Sequence, residues 1–345
     1  MQALVNTAPY VLEYRTWADP EMGPDDLLIC VKACAICGSD IKGYSGKTGR
    51  RQPPIIMGHE AAGEVVALGA NVQGFAVGDR VAFDSTVYCR CCVNCLAGHA
   101  NLCLDRQVVG VSEGTYRRHG AMAEYIAVPW WIAIHLPDTL SYTRAALIET
   151  VSIGVHAANR TPLTLNDRVA IIGAGAVGLV TLQAARLKGA GKIVISDLSE
   201  GRLALARALG ADVTIRADQA DATTEALRAA LGAQGADAAF EAVGVQATVD
   251  AAIAVTRVGG SVTLIGNVAP WVEVALQRIV TGELNLYGVC ASNREYSACA
   301  ELVAAGRINV DPLISATARL EDGQQVFDAL YQNPGDNIRT VFVMD

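Results

Sequence analysis

The run Gly58-His59-Glu60-Ala61-Ala62-Gly63 sets an imidazole beside a carboxylate, directly after the apolar segment Pro53 to Met57. Two further donors stand elsewhere in the chain, Cys37 in Cys37-Gly38-Ser39-Asp40 and Glu149 in Leu147-Ile148-Glu149-Thr150. A thiolate, an imidazole and one or two carboxylates form the mixed sulfur, nitrogen and oxygen set that suits zinc, and a site of this kind with an open position is catalytic. An adjacent His-Glu pair is commoner as a surface or structural pair, so its weight has to come from the rest of the chain.

A second cluster is self-sufficient. Cys89, Cys92 and Cys95 are spaced by two residues each, and Cys103 follows after seven. Four thiolates close a tetrahedral zinc shell and leave no room for a substrate, so this zinc would be structural. Cys91 and His99 lie inside the same stretch as competing ligands, and the regular spacing leaves both out. Cys34-Ala35-Ile36-Cys37 could be a redox pair, but no thioredoxin-type unit surrounds it and Cys37 has a better use at a metal. Five of the ten cysteines fall between Cys89 and Cys103, and without an export signal they read as thiols or ligands rather than disulfides.

The third feature is Gly173-Ala174-Gly175-Ala176-Val177-Gly178, placed between the strand-like Val169 to Ile172 and a helical stretch to Lys188. Glycines at this spacing give a tight turn, a close backbone approach to a pyrophosphate, and helix packing on the strand. The helix N-terminus then offers unpaired N–H groups to the phosphates. Asp197 follows Gly178 by 19 residues, at the end of the next strand, where it can accept bonds from both hydroxyls of an adenosine ribose. A 2′-phosphate would meet like charge there, which favours NAD over NADP. Arg202 and Val243 complete the expected cofactor contacts, together with Ala176 and Val177 of the turn.

Elements must carry these groups. Short strand-like runs at Leu27 to Ala33, Gly63 to Leu68, Arg80 to Phe83 and Ala123 to Val128, broken by turn residues, give an antiparallel, barrel-like first part. From about residue 155 strands and helices alternate. Strands at Val169 to Ile172, Lys192 to Ser196, Asp212 to Ile215, Asp237 to Glu241, Ser261 to Ile265 and Leu284 to Val289 describe a doubly wound parallel sheet. The tail contributes a helix from Leu320 to Tyr331 and a strand at Thr340 to Met344.

With 345 residues, two domains are expected, and 52% apolar residues supply a large core. The net charge of −8 repels a polyanion, so nucleic acid is not an expected partner. The 17-residue uncharged run Val169 to Ala185 is too short and too glycine-rich to span a membrane, and residues Met1 to Val5 lack the features of a signal peptide. A cytoplasmic location with no membrane partner is the expectation.

The His59 segment, continuing through Gly69 and Val72 to Gly78-Asp79-Arg80-Val81, resembles the zinc-containing medium-chain alcohol dehydrogenases. So do Cys37-Gly38-Ser39-Asp40, the four-cysteine lobe and the dinucleotide turn, in the family's order. The resemblance implies an α/β protein in which a GroES-like β-barrel catalytic domain, residues 1–153 and 290–345, carries an inserted Rossmann domain, residues 154–289. Leu147-Ile148-Glu149 with Ser152-Ile153-Gly154-Val155-His156-Ala157 resembles the polyol dehydrogenase branch, which implies Cys37, His59 and Glu149 as ligands of the catalytic zinc. Glu60 is then either a fourth ligand exchanging with water or a partner just behind the ligands, and Asp40 is the carboxylate holding the ligand histidine. Family resemblance also suggests a homo-oligomer, a dimer or tetramer. Two departures concern the substrate. Lys42 stands where the family often has a relay histidine, and Ala291 and Ser292 replace the Arg-Tyr pair of sorbitol dehydrogenases.

The reaction implied is reversible oxidation of a secondary alcohol of a polyol or sugar alcohol, phosphorylated or not, to a ketone, with hydride passing to NAD. Ser39 would pass the proton outward, with Lys42 as a further station, and Glu60 would assist at the metal. Gly49-Arg50-Arg51 and Tyr116-Arg117-Arg118-His119 read as solvated charge pairs, or as a grip on a substrate phosphate. The rivals are an amino-alcohol specificity like that of threonine dehydrogenases, a general secondary-alcohol dehydrogenase, a zinc-free quinone or enoyl reductase of the same superfamily, and a non-enzymatic zinc module. The last two fit poorly with the ligands and the dinucleotide turn occurring together.

Overall fold

The computed structural model describes residues 1–344 and divides into two compact units. One comprises Met1–Glu149, Tyr296–Gly306 and Val310–Asp345; the other comprises Thr150–Glu295 and Arg307–Asn309.

The first unit is built on a seven-stranded sheet in the order Ala133–His135, Arg80–Phe83, Glu60–Leu68, Asp26–Ala35, Arg339–Val343 and Ile314–Arg319, with Tyr125–Pro129 also pairing on Asp26–Ala35. All pairings are antiparallel except the last of the series, Ile314–Arg319 with Arg339–Val343. The central strand Asp26–Ala35 alternates buried and half-buried residues until Ala33, after which every residue is buried. Leu27, Ile29, Val31, Val65, Val81, Phe83, Phe327 and Phe342 share its core. Burial on both faces at one end of this strand gives a water-poor wall beside Cys37.

The second unit is a six-stranded, wholly parallel sheet in the order Val213–Arg216, Lys192–Asp197, Arg168–Ile172, Ala236–Glu241, Thr256–Leu264 and Asn285–Gly288. In chain order this is 3-2-1-4-5-6, the doubly wound dinucleotide-binding arrangement. The inner strands Arg168–Ile172, Lys192–Asp197 and Ala236–Glu241 are buried over most of their length, as expected when helices cover both faces. Helices Ala176–Leu187, Glu200–Ala208, Ala220–Leu231 and Gln246–Val255 make the crossovers.

Several elements escape the sequence pattern. The hairpin Gln2–Ala8 with Val11–Thr16 pairs one apolar run with a mostly exposed strand, and neither alternates cleanly. The edge strand Ile314–Arg319 is largely exposed. The helix Gly38–Tyr44 holds two glycines in seven residues, and the helices Ile148–Arg160, Leu276–Thr281 and Tyr296–Ala304 were likewise not expected. Tyr116–Arg118, which carries the second arginine pair, is a strand paired with Val111–Glu113. No helix among the described residues is long and apolar enough to cross a membrane.

Candidate active site and metal centres

His59 emerges from a constrained turn. Gly58 has φ +94°, and a Cβ there would lie 2.7 Å from Cys34 Sγ and 2.8 Å from Met122 Cγ, so only glycine fits. The chain on either side is pinned, with Ala121 N–H donating to Gly58 O and Met122 N–H to Met57 O. Glu60 then opens the strand Glu60–Leu68 with its side chain fully buried. Cys37 caps the helix Gly38–Tyr44.

The donor atoms of Cys37, His59 and Glu60 lie within 4.8 Å of one another. Asp40 ties the set together. Its Oδ2 accepts the Cys37 backbone N–H at 3.2 Å, while its Oδ1 lies 3.4 Å from His59 Nδ1 and 3.0 Å from Arg51 Nη2. Burial alone would raise the Asp40 carboxyl, but His59 and Arg51 hold it well below the usual carboxylate range. Burial also works against a proton on His59, and Asp40 and Cys37 outweigh it. Because Nδ1 faces Asp40, Nε2 is the ring nitrogen left for a metal.

Glu60 is held by Arg339, which opens the strand Arg339–Val343 and spans both carboxylate oxygens at 3.1 Å each. Such a two-pronged, wholly buried pair fixes the carboxylate plane. Glu149, at the start of the helix Ile148–Arg160, is buried but stands outside the tight group of three, and it accepts a hydrogen bond from Ser85 Oγ at 3.4 Å. Burial, reinforced by the charge of Glu60, pushes the Glu149 carboxyl up to about 8. A cation in the pocket is what would return the buried Glu149 carboxyl to its charged form, so the donor set fits a zinc ion in both chemistry and electrostatics.

Ser39 Oγ lies 3.5 Å from His59 Nε2 and accepts from Arg51 Nη2 at 3.1 Å. Lys42 is in the last turn of the same helix and exposed, with no hydrogen bond to Ser39 among the described residues. Arg51 corrects a sequence expectation, since it is a buried partner of Asp40 rather than a solvated charge. Arg50 pairs with Glu113 at 3.4 Å, Arg118 donates to Gln107, and His119 Nδ1 accepts the Ile56 N–H. Sequence reasoning missed Arg339 and Ser85 and gave Arg51 another role, because a charged or hydroxyl residue carries no spacing signal for the partner it finds on folding.

Cys89, Cys92, Cys95 and Cys103 form the second group within 4.8 Å. Cys89 Sγ to Cys95 Sγ is 3.9 Å and Cys92 Sγ to Cys103 Sγ is 4.0 Å. Tetrahedral zinc with Zn–S of about 2.3 Å requires edges of about 3.8 Å, so the four sulfurs already fit the ion. Backbone N–H groups of Cys92 and Cys89 point at Cys89 Sγ and Cys103 Sγ, stabilising thiolates. Cys91 and His99 are exposed and outside the group. The Arg90 guanidinium lies over the rings of Trp130 and Trp131, at 5.4 and 5.0 Å, and Trp131 Nε1 donates to Tyr88 O, tying the lobe to the sheet.

In the second unit the dinucleotide turn has its expected shape. A Cβ at Gly178 would lie 1.9 Å from Gly173 O, and one at Gly173 would meet Val243 Cγ2 at 2.6 Å. Gly175, the N-cap of the helix Ala176–Leu187, has nothing within 4 Å of where a Cβ would be, leaving the approach open above the first N–H groups at Ala176 and Val177. Asp197 ends its strand with Oδ2 accepting from Ala174 N and Oδ1 from Ser199 N. Two of its roughly four lone-pair sites remain for a diol. Arg202 lies in the first turn of the next helix, Glu200–Ala208, its backbone N–H donating to Ser199 Oγ.

Comparison with known proteins matches residues 23–138 to the alcohol dehydrogenase GroES-like domain and residues 176–305 to the zinc-binding dehydrogenase domain. Sorbitol dehydrogenase of Bacillus subtilis (strain 168) is 35% identical over 336 residues, 96% of this chain and 94% of that one. L-threonine 3-dehydrogenase of Shewanella sp. (strain ANA-3) is 32% identical over 316 residues, 90% of each chain. A zinc-binding dehydrogenase from Sinorhizobium meliloti 1021, solved with NADP bound, superposes with a TM-score of 0.90 at 31% identity, over 99% of both chains. With two family models in order along it and a relative 35% identical over 96% of its length, the chain belongs to the zinc-dependent medium-chain alcohol and polyol dehydrogenases.

Proposed function

We propose that the protein reversibly oxidises a secondary alcohol of a polyol or sugar alcohol to a ketone with NAD as hydride acceptor. The observation that carries it is the buried cluster of Cys37, His59 and Glu60, knitted by Asp40, in a chain that also holds a complete dinucleotide turn. Zinc supplies Lewis-acid polarisation of the substrate oxygen, and NAD supplies the hydride acceptor.

The chain's residues do the rest. Cys37, His59 and Glu149 hold the metal, with Asp40 orienting the His59 ring and the Cys37 backbone. Glu60, held at both oxygens by Arg339 and within reach of the Cys37 and His59 donors, would serve as a fourth ligand exchanging with water or as a partner just behind the ligands. Ser39 accepts the substrate proton and passes it outward, with Lys42 as the next station. Cys89, Cys92, Cys95 and Cys103 hold a structural zinc. Gly173, Gly175, Ala176, Val177 and Gly178 receive the pyrophosphate, Asp197 the adenosine ribose, and Arg202 and Val243 flank the cofactor; the carboxylate of Asp197 selects NAD over NADP. The catalytic domain is residues 1–153 and 290–345 and the Rossmann domain residues 154–289, bounds that lie within a few residues of the main divisions between the two compact units at 149/150 and 295/296. A cytoplasmic homo-oligomer, dimer or tetramer, completes the proposal, supported by family resemblance.

An unphosphorylated substrate is favoured, because Arg51 already has a buried carboxylate partner and Arg50 an acidic neighbour. The amino-alcohol rival keeps support from the similarity to L-threonine 3-dehydrogenase. Measuring NAD reduction with polyols, their phosphates, L-threonine and simple secondary alcohols decides among these. The highest kcat/KM is expected for an unphosphorylated polyol, and a clear preference for threonine or for a phosphate overturns that specificity.

A further inference from the structure

Arg51 is the one arginine of the Gly49-Arg50-Arg51 stretch taken into the interior, 5% exposed, beside Asp40 at 0%. Its stem lies against Gly43, where a Cβ would come within 2.7 Å of Arg51 Cγ, so the helix Gly38–Tyr44 is notched to admit it. The single nitrogen Nη2 serves two acceptors, Asp40 Oδ1 at 3.0 Å and Ser39 Oγ at 3.1 Å. A hydroxyl has one hydrogen and two lone pairs. With one lone pair committed to Arg51, Ser39 keeps one lone pair to receive a proton from a substrate hydroxyl and one hydrogen to hand on.

We propose that Arg51 is a positioning residue that fixes the Ser39 hydroxyl for proton transfer, anchored in turn by Asp40. This rests on the role of Ser39 given above. The guanidinium never touches the substrate. Freed from Arg51, the Ser39 side chain can rotate among its staggered positions, and the relay is aligned only part of the time.

The test is a double-mutant cycle in the zinc-loaded enzyme, Arg51→Gln and Ser39→Ala singly and together, with zinc content, NADH affinity and thermal stability measured on each. Arg51→Gln is expected to lower kcat for alcohol oxidation about tenfold to a hundredfold, with little change in NADH affinity and an unchanged zinc content. In the Ser39→Ala background the same substitution is expected to cost less than about twofold, because its target is gone. Arg51→Lys, which keeps a charge opposite Asp40, guards against a folding failure. It should retain zinc and thermal stability yet still lose kcat, since an ammonium lacks the guanidinium fork. Equal losses from Arg51→Gln in both backgrounds, or loss of zinc in Arg51→Lys, overturn the proposal in favour of a purely structural role. If Ser39→Ala alone leaves kcat intact, the relay itself is wrong and Arg51 falls with it, an outcome distinct from equal losses.

Discussion

Two glycines of the dinucleotide turn serve different ends, and substitution separates them. At Gly178 a methyl group would lie 1.9 Å from the Gly173 carbonyl oxygen, a backbone atom that cannot step aside without moving the turn. Gly178→Ala is expected to destabilise the protein by about 3 kcal/mol, as overpacking against a fixed wall does, seen as a lower urea midpoint. At Gly175 the same methyl would meet nothing within 4 Å. Gly175→Ala is therefore expected to leave the urea midpoint in place and weaken NADH binding about tenfold, measured by fluorescence titration. The glycine spacing was readable because it encodes a steric demand at fixed offsets. Arg339 and Arg51 were not, since nothing local distinguishes a buried arginine from a surface one; burial comes from folding, which sets Arg339 against Glu60 and Arg51 against Asp40.

Strands and lobes carry their own predictions. Asp237, near the start of the strand Ala236–Glu241, joins Arg168 at 3.2 Å and Arg257 at 2.6 Å, coupling the starts of three neighbouring inner strands. Partial burial would raise its carboxyl, and the two arginines lower it below the ordinary value. A depressed folded value means stabilisation that is complete above the unfolded value of about 4 and fades as the pH falls through the folded one. Asp237→Asn is expected to cost about 1 kcal/mol at pH 7, discounted for the partial exposure of the arginines, with the deficit shrinking below about pH 4 in urea titrations. A deficit that grows on acidification contradicts this assignment. In the cysteine lobe, Cys103→Ser should remove one zinc per chain and shift tryptophan emission to the red, because Arg90 and Tyr88 bind Trp130 and Trp131 to that loop. The Rossmann elements were legible through buried strands alternating with amphipathic helices. The hairpin Gln2–Ala8 with Val11–Thr16, the edge strand Ile314–Arg319 and the short helix Gly38–Tyr44 were not, since partners remote from the local pattern stabilise them.

Over the whole molecule, a buried mixed-donor cluster, a closed four-thiolate lobe and a dinucleotide turn occur in one chain, the last two built from residues that spacing had singled out and the first from candidates that the family resemblance had assigned. What spacing could not give was the polar scaffold behind the cluster, where Asp40 serves Cys37, His59 and Arg51 together while Arg339 clamps Glu60. These contacts depend on folding, and they decide how the ligands are aimed. The most direct test removes the thiolate alone. Cys37→Ala should lower the zinc content from two ions per chain, one for each cluster, to one. NADH should bind as before, and alcohol-dependent NAD reduction should fall by about a thousandfold or more. Undiminished turnover by a variant verified to carry only the lobe zinc would contradict a metal-dependent dehydrogenase centred on Cys37, His59 and Glu149.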